Sequence, residues 1–224
     1  MRAYNPDLII EATSVCDRAC KGCYAPNLIS GKDPLELLKS NSDLFLDVDS
    51  LNDTLESKFK AEIPMIAFRG GEPTLHPKLN ELMEVAAQKV RTVVLETHGK
   101  WLLKPNEKSD SLLNSIKNLN AVVKISFDKM HRTTAVELKM MTDALDFMGI
   151  EYWVAVTESS ESSFNIIASH IDWVSEDHFV FQKKATSTEE LIKPRHGVIS
   201  SKGILNLGLT VHLDFYQKGI SALA

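Results

Sequence analysis

The feature that most constrains this chain is a regular alternation of short apolar segments with amphipathic ones. Segments rich in Val, Ile and aromatic residues are typical of strands, and they lie at residues 7–13, 64–68, 92–96, 121–126, 152–156 and 178–181. Several are apolar at consecutive positions, as in strands that are buried on both faces of a parallel sheet. Helical patterns lie between them, at residues 48–60, 78–89, 109–118, 132–148 and 162–172. The alternation predicts an α/β protein.

The length of the chain limits how many strand–helix units it holds. One unit takes roughly 30 residues, and a closed eight-unit barrel needs about 250, whereas this chain has 224. We therefore expect a partial, open (β/α)6 barrel forming a single domain over residues 1–183. Residues 184–224 are expected to be a short C-terminal extension packing on the barrel, with a further strand or two at Val198–Ile199 and residues 207–213.

Composition excludes several classes of protein. Thirty acidic residues against 25 basic ones give a net charge of -5, which argues against a dedicated nucleic-acid binder. No apolar run approaches the roughly 18 residues that span a bilayer, and the first residues lack the apolar stretch of a signal peptide. We expect a cytoplasmic protein with no membrane partner.

All three cysteines lie in one short segment, directly after the first predicted strand. They are Cys16, Cys20 and Cys23, spaced C-x3-C-x2-C. Three clustered thiols are a poor disulfide framework and a good set of metal ligands. Iron–sulfur clusters are usually held by four cysteines, so three leave one position open, as in a catalytic metal site. The alternative is a zinc site, which needs a fourth ligand such as one of the seven histidines.

This motif resembles the signature of the radical S-adenosylmethionine (radical SAM) superfamily, in which it follows the first barrel strand. The resemblance implies that the three thiolates hold a [4Fe–4S] cluster whose remaining iron is chelated by the amino and carboxylate groups of SAM. It further implies an enzyme that cleaves SAM reductively to a 5′-deoxyadenosyl radical, which abstracts hydrogen from a substrate. The expected partners are a reducing protein such as flavodoxin or ferredoxin, and a small-molecule, peptide or protein substrate.

The chain departs from the family at the third cysteine. The family usually carries an aromatic residue just before it, near the adenine of SAM, whereas this chain has Gly22 there and Tyr24 after Cys23. The resemblance makes Gly22 and Tyr24 candidate cofactor contacts. This Gly-Cys-Tyr variant is similar to that of anaerobic ribonucleotide reductase activases.

A glycine motif follows the second predicted strand. It reads Arg69-Gly70-Gly71-Glu72-Pro73. Glycines at a strand end permit a tight turn and close approach to a ligand, and a carboxylate accepts hydrogen bonds from an ammonium group. The motif resembles the family's Gly-Gly-Glu-Pro element, which implies that Gly70, Gly71 and Glu72 bind the amino group of SAM.

Three further strand ends supply candidate cofactor contacts. The third strand ends in Glu96-Thr97-His98-Gly99, similar to the family's Thr-Asn-Gly element, so Thr97 is one candidate. Polar residues at the carboxyl ends of barrel strands face the ligand, and the resemblance assigns Ser126 and Asp128 to the ribose and carboxylate of SAM. As an alternative, Asp128 caps a helix that starts near His131. Val156 is expected to pack on the adenine.

The sequence leaves the reaction open. Gly22-Cys23-Tyr24 resembles glycyl-radical-enzyme activases, and residues 96–99 resemble the third-strand motif of 7-carboxy-7-deazaguanine synthases. An enzyme acting on another small metabolite or peptide is a third option. The non-enzymatic alternative is an iron–sulfur or zinc-binding protein, although an electron carrier would need no Gly-Gly-Glu-Pro and would normally use four cysteines.

Overall fold

The apolar segments form strands, and amphipathic segments form the helices between them. The computed structural model describes residues 4–18, 20, 27–28, 33–40, 42–128, 130–158, 161–183, 197–200 and 203–205. Its strands are β1 (Leu8–Thr13), β2 (Val15–Cys16), β3 (Asn27–Leu28), β4 (Ile63–Gly70), β5 (Val90–Thr97), β6 (Val122–Ser126), β7 (Tyr152–Glu158), β8 (Phe179–Lys183), β9 (Gly197–Ser200) and β10 (Gly203–Leu205). Its α-helices are α1 (Pro34–Ser40), α2 (Val48–Lys58), α3 (Leu79–Ala87), α4 (Glu107–Asn118), α5 (Ala135–Met148) and α6 (Glu161–Ser169).

Every predicted strand and helix of the alternating pattern is present, with ends within about three residues of those expected. Helix α1 and the short strand pair β2–β3 were not predicted from the sequence. Val198 and Ile199 lie in β9, whereas residues 207–213 lie outside the described residues. None of the described helices is long and apolar enough to cross a membrane.

The chain divides into two compact units, and β5 runs across the division. The first unit comprises residues 6–95 and 193–224, and the second comprises residues 1–5 and 96–192. Among the described residues, the strand order is β10-β9-β1-β4-β5 in the first unit and β6-β7-β8 in the second. All neighbouring pairs within a unit are parallel except β10–β9.

The register of the first unit places the charged residues of β1 and β4 on one face of the sheet. Ile10 pairs with Phe68, which pairs with Leu95, and all three are fully buried. Side chains alternate along a strand, so Glu11 and its partner Arg69 lie on the other face. Burial raises the pKa of Glu11, and the Arg69 guanidinium partly offsets that effect.

The second unit carries its buried lysine, Lys124 of β6, on one face of the sheet. Lys124 pairs with Trp153, and Ser126 pairs with Ala155, so these four residues share one face. Tyr152 lies on the other face of β7, where its hydroxyl lies 3.4 Å from Asp146 of α5. That face is therefore covered by α5, and the face of Lys124 and Ser126 is the opposite one.

Helix α5 begins later than the predicted residue 132 because the preceding turn is not helical. Arg132 has a left-handed φ of 49°, and Thr134 is the N-cap. Thr134 Oγ1 accepts the Glu137 N–H at 3.2 Å, and the Glu137 carboxylate accepts the Thr134 N–H at 2.8 Å. Glu137 also pairs with Lys100 of a 3-10 helix, Lys100–Leu103. The Lys100 hydrogen bond, followed by the Thr134 N–H, lowers the pKa of Glu137 from 4.5 to about 2.

We expect Glu137→Gln to lower the free energy of unfolding by about 1 kcal/mol at pH 7, because it weakens a capping box and an ion pair. The pKa is lower in the folded state, so the carboxylate contributes fully above its ordinary value of 4.5 and loses that contribution as the pH falls towards about 2. Urea unfolding at pH 7 and pH 3 measures this. As a control on the same helix, Asp143→Asn breaks only the exposed pair with Lys139 and should change stability by at most about 0.5 kcal/mol. An equal effect of Glu137→Gln at both pH values would contradict the assignment.

Candidate cofactor site

The cysteine segment follows β1 directly. Cys16 is the last residue of β2 and is buried, and Cys20 is half-buried. Both carry thiols rather than disulfides. The predicted third ligand, Cys23, lies outside the described residues, as do Gly22 and Tyr24.

One side of this segment is fixed by the loop before α2. Thr13 Oγ1 donates to the Leu44 carbonyl at 2.7 Å, and the Ser14 N–H donates to the same carbonyl at 3.0 Å. Leu46 N–H in turn donates to the Ala12 carbonyl at 2.8 Å. These bonds satisfy backbone groups at the end of β1, where the chain leaves the sheet. They therefore fix the position of the backbone that enters the cysteine segment.

The other side is fixed by the glycine motif at the end of β4. Gly71 N–H donates to the Thr13 carbonyl at 2.7 Å, and Glu72 N–H donates to the Val15 carbonyl at 2.8 Å. A Cβ atom at Gly71 would lie 2.0 Å from Val15 O, and one at Gly70 would lie 2.1 Å from Thr13 O. The motif and the cysteine segment therefore contact each other backbone to backbone, at a separation that only glycine allows.

Glu72 is a buried carboxylate, with 1% of its surface exposed. Its Oε1 accepts the Thr74 hydroxyl at 2.8 Å and the Thr74 N–H at 3.3 Å. It thereby caps the 3-10 helix Pro73–Leu75. This cap fixes the carboxylate beside the cysteine segment, since the Glu72 N–H bonds to Val15.

His76 has a structural role. It is 1% exposed; its Nδ1 accepts the Lys78 N–H at 3.0 Å, and its Nε2 lies 2.9 Å from the Leu46 carbonyl. Because Nδ1 accepts, Nε2 must carry the proton and donate to Leu46. The neutral ring thus ties the segment after the glycine motif to the loop that holds β1.

Ser126 and Asp128 lie at the carboxyl end of β6. Asp128 Oδ1 accepts the N–H groups of Met130 and His131 and lies 2.9 Å from His131 Nδ1. Burial raises the pKa of Asp128, but the His131 and backbone hydrogen bonds outweigh it, so the net shift is downward and the group stays ionised. The Asp128 side chain is 2% exposed, and its Oδ2 has no hydrogen-bond partner among the described residues; the same holds for the Thr133 hydroxyl.

Asp128 does not cap the following helix, because Thr134 does. It caps the turn over residues 130–132 instead. The orphaned Asp128 oxygen is a buried acceptor with no donor among the described residues, an arrangement that costs free energy unless a ligand or water supplies one. Such a carboxylate oxygen fits a hydroxyl-bearing ligand such as a ribose.

Thr97 and Val156 are placed differently from Ser126. Thr97 Oγ1 accepts the Gly99 N–H at 3.0 Å and so stabilises the turn after β5. Val156 is fully buried and alternates onto the Tyr152 face of β7, which α5 covers. The structure therefore does not bring Val156 onto the face of Ser126.

The described residues include two of the three predicted cluster ligands, Cys16 and Cys20. No three of the His, Cys, Asp and Glu side chains that the structure describes come together as metal ligands. The two described donors, Cys16 and Cys20, are thiols, which suit iron–sulfur clusters.

One polar cluster in the second unit was not predicted from the sequence. Tyr4, Glu96 and Lys124 contact one another, and Lys124 is only 2% exposed. The signal was present in the sequence, because Lys124 is the one charged residue of β6 and lies among the apolar residues Val122, Val123 and Ile125.

Comparison with solved structures shows the fold. The chain matches anSMEcpe with bound AdoMet at a TM-score of 0.54 and 16% identity, covering 82% of this chain and 56% of that one. It matches anSMEcpe with bound AdoMet and the Cp18Cys peptide at a TM-score of 0.53 and 15% identity, covering 82% and 55%. Streptococcus suis SuiB bound to precursor peptide SuiA matches at 0.45 and 12% identity, covering 80% and 49%. The chain thus spans about half the length of these proteins.

The fold comparison confirms the α/β class predicted from the sequence. No curated protein matches the sequence. Residues 10–142, more than half of the chain, match the model of the 4Fe-4S single cluster domain, and this range includes all three cysteines and the glycine motif. The chain therefore belongs to the 4Fe–4S single cluster domain family.

Proposed function

We propose that this protein is a radical SAM enzyme, which cleaves SAM reductively to a 5′-deoxyadenosyl radical and abstracts hydrogen from a substrate. The observation that carries the proposal is the pairing of Gly71 and Glu72 with Thr13 and Val15 through two backbone hydrogen bonds. Through this pairing, the glycine motif, which is predicted to bind the SAM amino group, contacts the cysteine segment directly.

Three thiolates, from Cys16, Cys20 and Cys23, hold the cluster in this proposal. When bound there, the cluster would supply the one-electron reduction that SAM cleavage needs. The chain's own contribution is to leave one iron without a cysteine ligand and to keep the site dry, as the burial of Cys16 favours.

In the proposal, Glu72 binds the amino group of SAM, and Gly70 and Gly71 allow the close approach. Ser126 and Asp128 contact the ribose and carboxylate. Bound AdoMet in anSMEcpe supports the cofactor. The orphaned Asp128 Oδ2 supports a hydroxyl partner there. Gly22 and Tyr24 remain candidate contacts beside Cys23, while the observed contacts of Thr97 and Val156 favour structural roles for both.

The substrate class favoured is a peptide or protein side chain, because a neighbour of the same fold binds AdoMet together with a peptide. A small molecule is the second candidate, as in 7-carboxy-7-deazaguanine synthases, and a glycyl-radical enzyme is the third. The electron donor is a small redox protein such as flavodoxin or ferredoxin.

The test is to reconstitute the protein anaerobically with iron and sulfide, reduce it with dithionite, add SAM and measure 5′-deoxyadenosine by mass spectrometry. Its formation in proportion to the cluster content supports the proposal. A fully assembled cluster that yields none, with SAM bound, would overturn it in favour of a non-catalytic iron–sulfur protein. Stoichiometric zinc in place of iron in protein purified anaerobically would overturn it in favour of a zinc protein.

Glu72→Gln should weaken SAM binding about 10- to 100-fold, because it replaces a charge-assisted hydrogen bond with a neutral one. Glutamine keeps an oxygen that can accept from Thr74, so the 3-10 helix and the cluster should survive. Equilibrium dialysis with labelled SAM measures the affinity, and the visible absorbance of the cluster is the control. Loss of the absorbance together with SAM binding would mean that Glu72 supports the cysteine segment rather than the SAM amino group.

A further inference from the structure

Tyr4 inserts its ring into a polar pocket in the second unit. Its hydroxyl donates to Glu96 Oε1 at 2.5 Å, and the Lys124 ammonium lies 4.6 Å from the centre of its ring. The ring meets Trp153 edge to face, with centroids 5.7 Å apart. We name this site the phenol pocket; its residues are Glu96, Lys124 and Trp153.

Fold stability does not explain the charges in this pocket. Lys124 and Glu96 lie 3.5 Å apart with side chains only 2% and 13% exposed. Replacing such a buried ion pair with apolar residues of similar volume is often neutral or stabilising. Lys124 is flanked by Val123 and Ile125, which are fully buried, so an apolar residue would suit the strand. The pair is therefore better explained by recognition.

Each wall of the pocket matches one property of a phenol. A carboxylate accepts the hydroxyl proton, a cation faces the π-electrons, and an indole edge packs on the ring. The Trp153 ring is itself held, because its Nε1 donates to Glu151 at 3.0 Å. A ring without the hydroxyl would lose the hydrogen bond to Glu96 Oε1, whereas a tyrosine ring keeps it.

Tyr4 belongs to no helix or strand. Three residues separate it from Leu8, the first residue of β1. The Tyr4 ring is therefore tethered at the pocket, and a tethered group competes with an added ligand at an effective concentration in the millimolar range. Ser126, which is proposed to contact SAM, lies two residues beyond Lys124 on the same face of β6. The backbone positions of these two residues are therefore about 7 Å apart along the strand.

We infer that the phenol pocket receives the tyrosine side chain of a peptide substrate, and that Tyr4 fills the pocket until such a peptide displaces it. The inference rests on the proposed function for its reaction, but the pocket's binding preference is testable without SAM cleavage. It narrows the substrate class from peptides in general to peptides that present a phenol.

The experiment is a 19F NMR titration of the anaerobically reconstituted full chain labelled with 3-fluorotyrosine. The Tyr4 signal is assigned by its absence in Tyr4→Phe. The probes are N-acetyl-tyrosinamide and, as a matched compound without the hydroxyl, N-acetyl-phenylalaninamide. Tyr152 is the internal control, since it lies on the opposite face and contacts Asp146.

We expect N-acetyl-tyrosinamide to shift the Tyr4 signal saturably at millimolar to tens of millimolar concentration, with the Tyr152 signal unchanged. The phenylalanine compound should be at least about tenfold weaker, and Glu96→Gln should reduce the preference for the hydroxyl by a similar factor. A Tyr4 signal that does not move up to about 50 mM, or that moves equally with both probes, would overturn the inference.

A second variant distinguishes displacement of Tyr4 from a general change in the fold. Tyr4→Gly removes the tethered ring and should bind N-acetyl-tyrosinamide at least about tenfold more tightly than the wild type does. Unchanged affinity would overturn the inference. If the variant does not fold, the wild-type titration decides alone. Binding with the hydroxyl preference but without any 5′-deoxyadenosine formation would leave the pocket intact and overturn the proposed function.

Discussion

Gly71→Ala should prevent stable cluster assembly and lower the free energy of unfolding by about 3 kcal/mol or more. The added methyl carbon would lie 2.0 Å from the Val15 carbonyl oxygen and 2.4 Å from its carbon. Both are backbone atoms, so no side-chain rotation can relieve the overlap. The chain must separate, and this breaks the bonds from Gly71 N–H to Thr13 and from Glu72 N–H to Val15. The cysteine segment then loses the contact that fixes it beside the glycine motif.

Iron and sulfide content after reconstitution, together with urea unfolding, measures the effect of Gly71→Ala. Gly149→Ala is the matched control, since Gly149 has a φ of 67° but nothing within 4 Å of an added Cβ. It should cost only about 1–2 kcal/mol from the left-handed backbone and leave the cluster content unchanged. A Gly71→Ala protein with a full cluster and wild-type stability would show that the two segments are not in contact.

The sequence predicts the fold well because local pattern and tertiary structure agree. The strand around Ile66 to Phe68 and its neighbour around Val93 to Leu95 are apolar at consecutive positions, and they are buried as parallel strands. The helix ends were harder to predict. Arg132 takes a left-handed conformation that no sequence rule demands. Helix α5 therefore begins at Ala135, three residues after the predicted start at residue 132.

The site was predictable in its residue types but not in its contacts. The glycine motif suggested an approach to a ligand, whereas the structure shows that Gly70 and Gly71 approach the backbone of Thr13 and Val15. That contact depends on a β1–β4 register which no local pattern encodes. The Tyr4 contacts with Glu96 and Lys124 join residues far apart in the chain, so spacing could not reveal them.

Cys20→Ala should abolish cluster-dependent SAM cleavage, with 5′-deoxyadenosine falling to the background of protein without iron. Two thiolates cannot hold the cluster as three do, and the remaining irons would be exposed to water and buffer ligands. Cys20 is half-buried and carries a thiol, so its removal leaves no large cavity, and the fold should be retained. Iron and sulfide analysis, electron paramagnetic resonance of the reduced protein and far-ultraviolet circular dichroism measure the three consequences.

Asp17→Asn is the control within the same segment, because Asp17 is exposed and lies between Cys16 and Cys20 without being a thiolate. It should retain the cluster, and adding SAM should change its electron paramagnetic resonance signal as in the wild type, since an iron without a cysteine ligand is open to SAM. Retained 5′-deoxyadenosine formation in Cys20→Ala would remove Cys20 from the ligand set. A wild-type signal that is indifferent to SAM would instead indicate a cluster with all four irons ligated by the protein. The response to SAM therefore separates an open catalytic cluster from a closed electron-transfer one.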